Sequence, residues 1–194
     1  MPPFCVLHVC MGNICRSPMA ERILAHRVAQ RAGDDADDLL MSHSCGVGSW
    51  HAGQRMDSSA ARELRNRQIG SEGFSARQIE RAHIEISDLI LTATTEQYDY
   101  VSITFPEARE RTFLIRHFGA IVAGMDASKL PESDGSAQAV HARGKAIVNE
   151  ANEHRDEFEA QSLDDPWGSS GATFTRVAEE IDTALAPFVT KLLS

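Results

Sequence analysis

The sequence predicts an α/β fold with a parallel sheet, and two observations support this prediction. Short apolar segments alternate with helical patterns through the first half of the chain, which is typical of parallel strands joined by helices. The length of 194 residues and the hydrophobic content of 42% suit one well-buried core and are short for two. We therefore expect a single domain over residues 1–194.

Four apolar segments are candidate strands of this sheet. The first segment is a nearly continuous apolar run, which is typical of a buried strand in a parallel sheet rather than of a half-exposed strand. The candidate strands cover Phe4–Cys10, Met41–Val47, Ser87–Thr92 and Arg111–Ile115.

Helices are predicted between and after these strands. Ser17 and Pro18 suit the N-cap and first position of a helix that runs to about Ala32. A second helix is predicted over residues 58–68. Apolar residues at helical spacing predict a core-packing helix over residues 173–193, with a kink at Pro187.

Residues 119–163 differ from the rest and are predicted to be an insertion. The polar stretch "DASKLPESDGSAQ" reads as a loop, and the following "AVHARGKAIVNEANEHRDEFEA" is compatible with a weakly amphipathic helix. Two interpretations stay open: a surface element that lies against the sheet, or a lid or partner-binding segment.

Charge and composition exclude several classes of protein. The formal net charge of −9 argues against a general binder of nucleic acid or of anionic membranes. No apolar run reaches the length of a transmembrane helix, and the first residues do not resemble a secretory signal. We therefore expect a cytoplasmic protein.

The cysteines and histidines do not indicate a metal site. All four cysteines fall in the first quarter of the chain, with a spacing unlike that of zinc ribbons or disulfide scaffolds. The eight histidines form no ligand pattern. We predict no metal and no cofactor, and we expect Cys5, Cys45 and His8 to be core residues.

The stretch "VCMGNICRSPMAE" carries the predicted chemistry. A loop between a strand and a helix N-terminus directs backbone N–H groups at an anion, and Gly12 allows the backbone to curl. Arg16 supplies a planar cation that matches two phosphate oxygens. Such surroundings favour the thiolate of Cys10, which could attack phosphorus and form a phosphocysteine. Ser17 could donate a hydrogen bond to the sulfur, and Asn13 could hold the loop in a strained conformation.

The complete string closely resembles the phosphate-binding loop of the low-molecular-weight protein tyrosine phosphatases. The resemblance covers about residues 6–116 and 164–193. It implies a three-layer α/β/α sandwich with a central four-stranded parallel sheet and the phosphate loop after the first strand. It also implies that Met11, Gly12, Asn13, Ile14, Cys15, Ser17 and Ser44 bind phosphate or support the loop.

The same resemblance assigns the remaining site residues. The family's general acid lies in an Asp-Pro-aromatic motif, which matches Asp165 in "LDDPWGSSGATF" and places Trp167 beside it. The pattern "SCGVGSWHAGQRMD" places Trp50 as the aromatic residue flanking the substrate ring, next to His51. Arg77 matches a family arginine.

Three departures from the family pattern bear on function. Phe74 replaces a histidine of the loop-supporting network, so we expect weaker support of the loop. Thr94 stands where a carboxylate is usual. The insertion precedes the acid loop and could alter the mobility of the acid.

The resemblance further implies a reversible Cys10–Cys15 disulfide that protects the nucleophile from over-oxidation. The alternative is that Cys15 merely packs inside the loop.

The leading functional hypothesis is a phosphotyrosine protein phosphatase that uses Cys10, Arg16 and Asp165. The implied partners are phosphotyrosine proteins, including autophosphorylating tyrosine kinases of bacteria, and inorganic phosphate is the product. Phosphoarginine hydrolysis is a rival, but such relatives carry threonine where this chain has Ile14. An arsenate reductase would need relay cysteines, and none follows Cys45. A non-catalytic phosphate-binding module is the third alternative.

Overall fold

A four-stranded sheet lies at the centre of the chain, in a computed structural model that describes residues 2–194. All its strand pairs are parallel, in the order β2-β1-β3-β4. The four predicted strands are confirmed, with bounds that differ by no more than two residues. The strands are β1 (Phe4–Cys10), β2 (Leu40–Gly46), β3 (Leu89–Thr92) and β4 (Thr112–Leu114).

Eight α-helices accompany the sheet within residues 2–194. The predicted helices near residues 17–32, 58–68 and 173–193 are confirmed, the stretch described as compatible with a weakly amphipathic helix forms α7, and four others were not predicted. The helices are α1 (Arg16–Ala32), α2 (Ala36–Leu39), α3 (Ser58–Asn66), α4 (Arg81–Glu85), α5 (Thr95–Thr104), α6 (Ile115–Gly124), α7 (Ala137–Glu153) and α8 (Gly171–Leu192).

Both faces of the sheet are covered, because side chains of β1 alternate between two cores. Phe4 and Val6 pack with residues of α1, α6 and α8 on one face. Leu7 and Val9 pack with residues of α4 and α5 on the other. The predicted three-layer α/β/α sandwich is therefore confirmed.

The carboxyl ends of the strands meet at one edge, where the loop after β1 begins. Cys10 at the end of β1 pairs with Gly46 at the end of β2. A Cβ atom on Gly46 would lie 2.9 Å from the backbone of Met11, Gly12 and Asn13. Glycine at this position therefore lets the loop after β1 pack directly on β2.

The start of α1 differs from the prediction. The helix begins at Arg16, with Cys15 at the N-cap position, and no side chain caps it. The hydroxyl of Ser17 instead takes part in the network described below. The N–H groups of the first turn are therefore left for an anion rather than for a cap.

The predicted insertion contains two packed helices. Residues 119–124 complete α6, so this part belongs to a helix of the sandwich. In α7, Val140, Ile147 and Val148 are buried in the core. Gly144 faces Phe4 so closely that a Cβ atom would lie 2.5 Å from the ring. This packing favours the interpretation of the segment as an element lying against the sheet rather than as a lid.

No helix within residues 2–194 combines the length and the apolar character needed to cross a membrane.

Candidate active site

The loop after β1 forms the floor of a cavity of about 220 Å³. Most of the predicted site residues line this cavity, together with His51, while Asn13, Ser17 and Ser44 lie behind the loop. The lining residues are Cys10, Met11, Gly12, Ile14, Cys15, Arg16, Trp50, His51, Asp165 and Trp167.

Asn13 lies fully buried at the centre of the loop. Its φ of 56° is in the left-handed region, which asparagine tolerates better than most residues. Its Nδ2 donates to Ser17 Oγ and to Ser44 Oγ, both at 2.9 Å. Its Oδ1 accepts from the backbone N–H of Arg77 at 2.9 Å. The side chain thus holds a strained backbone conformation by three hydrogen bonds, as its predicted role requires.

These bonds fix the direction of the neighbouring hydroxyl groups. Because Ser17 Oγ accepts from Asn13, its own proton is free for Cys10 Sγ at 3.0 Å or for the carbonyl of Cys45 at 3.3 Å. This geometry lets Ser17 donate to the sulfur, and that role of Ser17 stays a prediction.

The network ends at a residue that the sequence analysis did not identify. Ser44 Oγ donates to Glu21 Oε2 at 2.5 Å. Glu21 lies on α1 next to β2, and burial raises the pKa of its carboxyl group. Phe74 packs against the core and makes no hydrogen bond to the network. Ser44 therefore has an acceptor although position 74 carries no histidine, and the weaker loop support stays a prediction.

Arg16 is buried with its guanidinium facing the cavity. Nη2 donates to Asp165 Oδ2 at 2.9 Å, and Nη1 donates to the carbonyl of Leu163 at 3.2 Å. Nε is buried without a hydrogen-bond partner among residues 2–194. A buried guanidinium with an unused N–H is suited to an oxyanion.

The loop that carries Asp165 is tied to the sheet and to the helix that follows. Leu163 N–H donates to the carbonyl of Ala93 at 2.8 Å, just beyond β3. Asp165 Oδ1 accepts from the N–H of Trp167 at 3.2 Å. The neighbouring Asp164 does not line the cavity. Its Oδ2 pairs with Arg176 Nη2 of α8 at 2.7 Å. The structure therefore brings Asp165, and not Asp164, to the site.

Thr94 does not contact Arg16. Its hydroxyl donates to Glu96 Oε2 at 2.5 Å, and its N–H donates to the side chain of Gln97 at 2.9 Å. The threonine therefore caps α5, and the ion pair of Arg16 is made by Asp165.

Two tryptophans flank the mouth of the cavity. Trp50 is 60% exposed and Trp167 is 65% exposed, although both are large and apolar. Exposed indoles on a concave rim suit stacking against an aromatic ring. His51 lines the cavity beside Trp50, and its Nδ1 is paired with Gln54 Oε1 at 2.8 Å. A Cβ atom on Gly12 would lie 2.8 Å from the imidazole ring of His51. Apart from the position of His51 next to Trp50, nothing in the sequence predicted this close approach.

All four cysteines are free thiols and are buried. Burial raises the pKa of Cys15 and of Cys45, and it raises the pKa of Cys5 to about 11. Burial lowers the pKa of His8 to about 3, which keeps this histidine neutral in the core, as expected. The Cys10–Cys15 disulfide stays a prediction.

One group of side chains within residues 2–194 could hold a metal ion. It consists of Glu150, Glu153 and His154 at the end of α7. His154 is already paired with Glu150 and Glu157, which raises its pKa. None of these residues lines the cavity described above.

The arrangement can therefore bind an oxyanion and act on it. The backbone of the loop and the guanidinium of Arg16 surround the bottom of the cavity, Cys10 Sγ lies at its floor, and a carboxyl group enters from the side.

Comparison with known proteins gives the same family as the sequence motifs. A family model described as low molecular weight phosphotyrosine protein phosphatase matches residues 5–132. The Escherichia coli K12 protein-tyrosine-phosphatase Wzb is 36% identical over 113 residues, which cover 58% of this chain and 70% of Wzb. The Bacillus subtilis protein-tyrosine-phosphatase YfkJ is 35% identical over 91 residues, which cover 47% of this chain and only 56% of YfkJ.

Solved structures share the fold. The YwlE arginine phosphatase from Geobacillus stearothermophilus superposes with a TM-score of 0.68 at 23% identity, over 98% of this chain and 93% of that chain. At this identity the likeness shows the fold alone. Together with the match of the family model to two thirds of the chain, it establishes that the chain belongs to the low molecular weight phosphotyrosine protein phosphatase family.

Proposed function

We propose that this chain is a cysteine-dependent phosphatase that hydrolyses phosphotyrosine in proteins through a phosphocysteine intermediate. The observation that carries the proposal is that Cys10 and Arg16, at the two ends of the loop held by Asn13, meet Asp165 in one cavity. A nucleophile, a phosphate-binding cation and a proton donor are the three groups that this chemistry needs.

In the first step, Cys10 Sγ attacks phosphorus and the bond from phosphorus to the phenolic oxygen breaks. Asp165 gives its proton to the departing oxygen, so that tyrosine leaves as a neutral phenol. Arg16 and the N–H groups of the loop stabilise the charge on the transferring phosphoryl group.

In the second step, a water molecule attacks the phosphocysteine. Asp165 takes a proton from that water, the bond from sulfur to phosphorus breaks, and inorganic phosphate is released. Ser17 donates to the leaving sulfur, which its hydrogen bond to Cys10 at 3.0 Å supports.

The walls of the cavity favour an aromatic leaving group over a guanidinium. Ile14 contributes an apolar side chain to the lining, and Trp50 and Trp167 flank the entrance. A phenyl ring gains from such contacts, whereas a charged guanidinium gains little from an isoleucine. The proposed substrates are therefore phosphotyrosine proteins, including autophosphorylated tyrosine kinases.

Steady-state hydrolysis tests this function. Wild type, Cys10→Ser and Asp165→Asn are compared on a phosphotyrosine peptide, with phosphoarginine and arsenate assayed in parallel. We expect no turnover by Cys10→Ser, and a kcat for Asp165→Asn that is lower by about 10²–10⁴-fold, the usual contribution of a general acid.

A change of leaving group separates the role of the acid from damage to the site. Asp165→Asn should lose much less activity on p-nitrophenyl phosphate, whose leaving group is a more acidic phenol and needs less protonation. Equal losses on both substrates would contradict the assignment of Asp165. A folded wild-type protein that binds phosphate but turns over none of the substrates would overturn the proposal in favour of a binding module.

A further inference from the structure

Three exposed arginines lie on α3 and on the segment before it. They are Arg55, Arg62 and Arg65. None of them forms an ion pair with any of residues 2–194, whereas the exposed Arg81 and Arg176 both do. Arg55 and Arg65 line the same surface cavity of about 670 Å³. We call these three residues the α3 arginine patch.

The acidic residues of the same segment do not neutralise the patch. The carboxylate of Asp57 caps α3 by accepting from the N–H groups of Ser59 and Ala60. Glu63 is buried and pairs with Arg67 at 2.9 Å. Glu72 is the one carboxylate that lines the 670 Å³ cavity, so the patch keeps an excess of positive charge. This excess contrasts with the net charge of −9 of the whole chain.

The patch lies beside the phosphate-binding cavity. The N–H of Asp57, which starts α3, donates to the carbonyl of Ile14 in the phosphate loop at 2.9 Å. Arg62 Nη2 lies 3.7 Å from the position of a Cβ on Gly171, the first residue of α8 after the acid loop. α3 therefore begins beside the phosphate loop, and Arg62 on it lies near the start of α8, which follows the loop that carries Trp167.

We propose that the α3 arginine patch binds acidic side chains that flank the phosphotyrosine of a protein substrate. This inference rests on the proposed function and narrows its substrate class. Arg62 lies five residues beyond Asp57, which is about 7.5 Å along the helix axis at 1.5 Å per residue. An extended peptide advances about 3.3 Å per residue, so aspartate or glutamate about two to five positions from the phosphotyrosine reaches the patch.

Charge complementarity selects this occupant. Exposed arginines without an ion-pair partner attract carboxylates, although the chain as a whole carries a net charge of −9. Each exposed ion pair is worth about a 1.4- to 5-fold change in affinity. Three arginines together then give about a tenfold preference for an acidic peptide over a neutral one.

Paired peptides test the proposal. One phosphotyrosine peptide carries glutamate at the flanking positions, and a second, otherwise identical peptide carries glutamine there. The hydrolysis of both is measured for wild type and for the triple variant Arg55→Glu, Arg62→Glu, Arg65→Glu. We expect wild type to have a kcat/KM about tenfold higher on the acidic peptide at low salt, with the preference shrinking as salt is added. The triple variant should lose or invert this preference and keep wild-type hydrolysis of p-nitrophenyl phosphate.

Controls separate this outcome from a general charge effect and from loss of the fold. Arg31→Glu reverses an exposed charge about 22 Å along α1 from Arg16, near the opposite end of that helix, and should keep the preference for the acidic peptide. If the triple variant folds poorly, the milder double variant Arg62→Gln, Arg65→Gln replaces it. This double variant should show a preference for the acidic peptide that is smaller than that of wild type.

Three results would overturn the proposal. The first is a wild-type enzyme that does not distinguish the two peptides although it hydrolyses p-nitrophenyl phosphate. The second is an equal loss on both peptides in the patch variants. The third is a change of oligomeric state in light scattering with unchanged peptide preference, which would assign the patch to contacts between copies of the chain. Absence of all hydrolysis by wild type would instead contradict the proposed function.

Discussion

Asn13 joins the phosphate loop to its support, and replacing it with aspartate tests the direction of the hydrogen bonds in that network. The carboxylate of aspartate matches the amide of asparagine in size. Its Oδ1 can still accept from the N–H of Arg77, which lies 2.9 Å from Asn13 Oδ1 in the native chain. The second oxygen cannot donate to Ser17 or Ser44, as Nδ2 does in the native chain. Ser17 is therefore expected to turn its proton toward the new carboxylate and away from Cys10 Sγ.

The loss can be estimated from the bond that disappears. A hydrogen bond to a charged acceptor such as a thiolate contributes about 1.5–3 kcal/mol. This corresponds to about a 10- to 150-fold decrease in kcat/KM, since about 1.4 kcal/mol is a factor of ten. The assay is steady-state hydrolysis of p-nitrophenyl phosphate, with urea denaturation to follow the free energy of unfolding.

Asn13→Ala is the matched control. It removes all three hydrogen bonds of the side chain, at about 1 kcal/mol each, and leaves alanine with a φ of 56°. It should therefore lower the free energy of unfolding by about 3 kcal/mol or more, while Ser17 stays free to donate to the sulfur. An Asn13→Asp enzyme with wild-type kcat/KM would refute this reasoning, and so would an Asn13→Ala protein of wild-type stability.

Three further predictions concern packing and pH. Gly46→Ala should destabilise the fold by about 1–3 kcal/mol and lower kcat, because its Cβ would lie 2.9 Å from the loop backbone; urea denaturation and kinetics measure the two effects. Gly144→Ala should cost a similar free energy of unfolding by its contact with Phe4 at 2.5 Å, yet leave kcat unchanged. Burial, with help from Arg77, lowers the pKa of His43 to about 4. Below pH 6.5 the unfolded chain therefore protonates His43 while the folded chain does not, so His43 alone should lower the free energy of unfolding by up to about 3 kcal/mol from pH 6.5 to 4, in addition to the contribution of His8. His43→Asn should reduce that slope in urea titrations at several pH values, and an unchanged slope would contradict the assignment.

Parts of the site that follow from a local stretch of sequence were predictable. The loop from Cys10 to Ser17 is contiguous, so its residues and its place after a strand could be inferred together. Asp165 and Trp167 are also neighbours in sequence, and the structure brings both to the cavity. β1 and β3 could be located because each is a short, mostly apolar run that is buried along its whole length.

Parts that depend on distant residues were not predictable in this way. Ser17 is of a residue type that commonly caps helices. In the structure its hydroxyl instead forms hydrogen bonds with Cys10 and Asn13, because the loop curls over it. The weak amphipathic pattern of α7 did not indicate a core helix, since Gly144 rather than a large apolar residue makes the contact with Phe4. Arg143 on the same helix donates to the carbonyl of Lys191 at the end of α8, across many residues of sequence.

The replacement of histidine by Phe74 shows why a departure from a family pattern does not by itself measure a loss of function. A phenylalanine cannot accept the proton of Ser44, so the sequence indicated a weaker network. The structure places the carboxylate of Glu21 within 2.5 Å of that hydroxyl. A carboxylate can only accept, which leaves Ser44 Oγ to accept from Asn13 and fixes the amide in the orientation that frees the proton of Ser17. The backbone N–H of Arg77, which can only donate to Asn13 Oδ1, fixes the amide in the same orientation, so a side chain at position 74 is not needed to set the direction of these bonds.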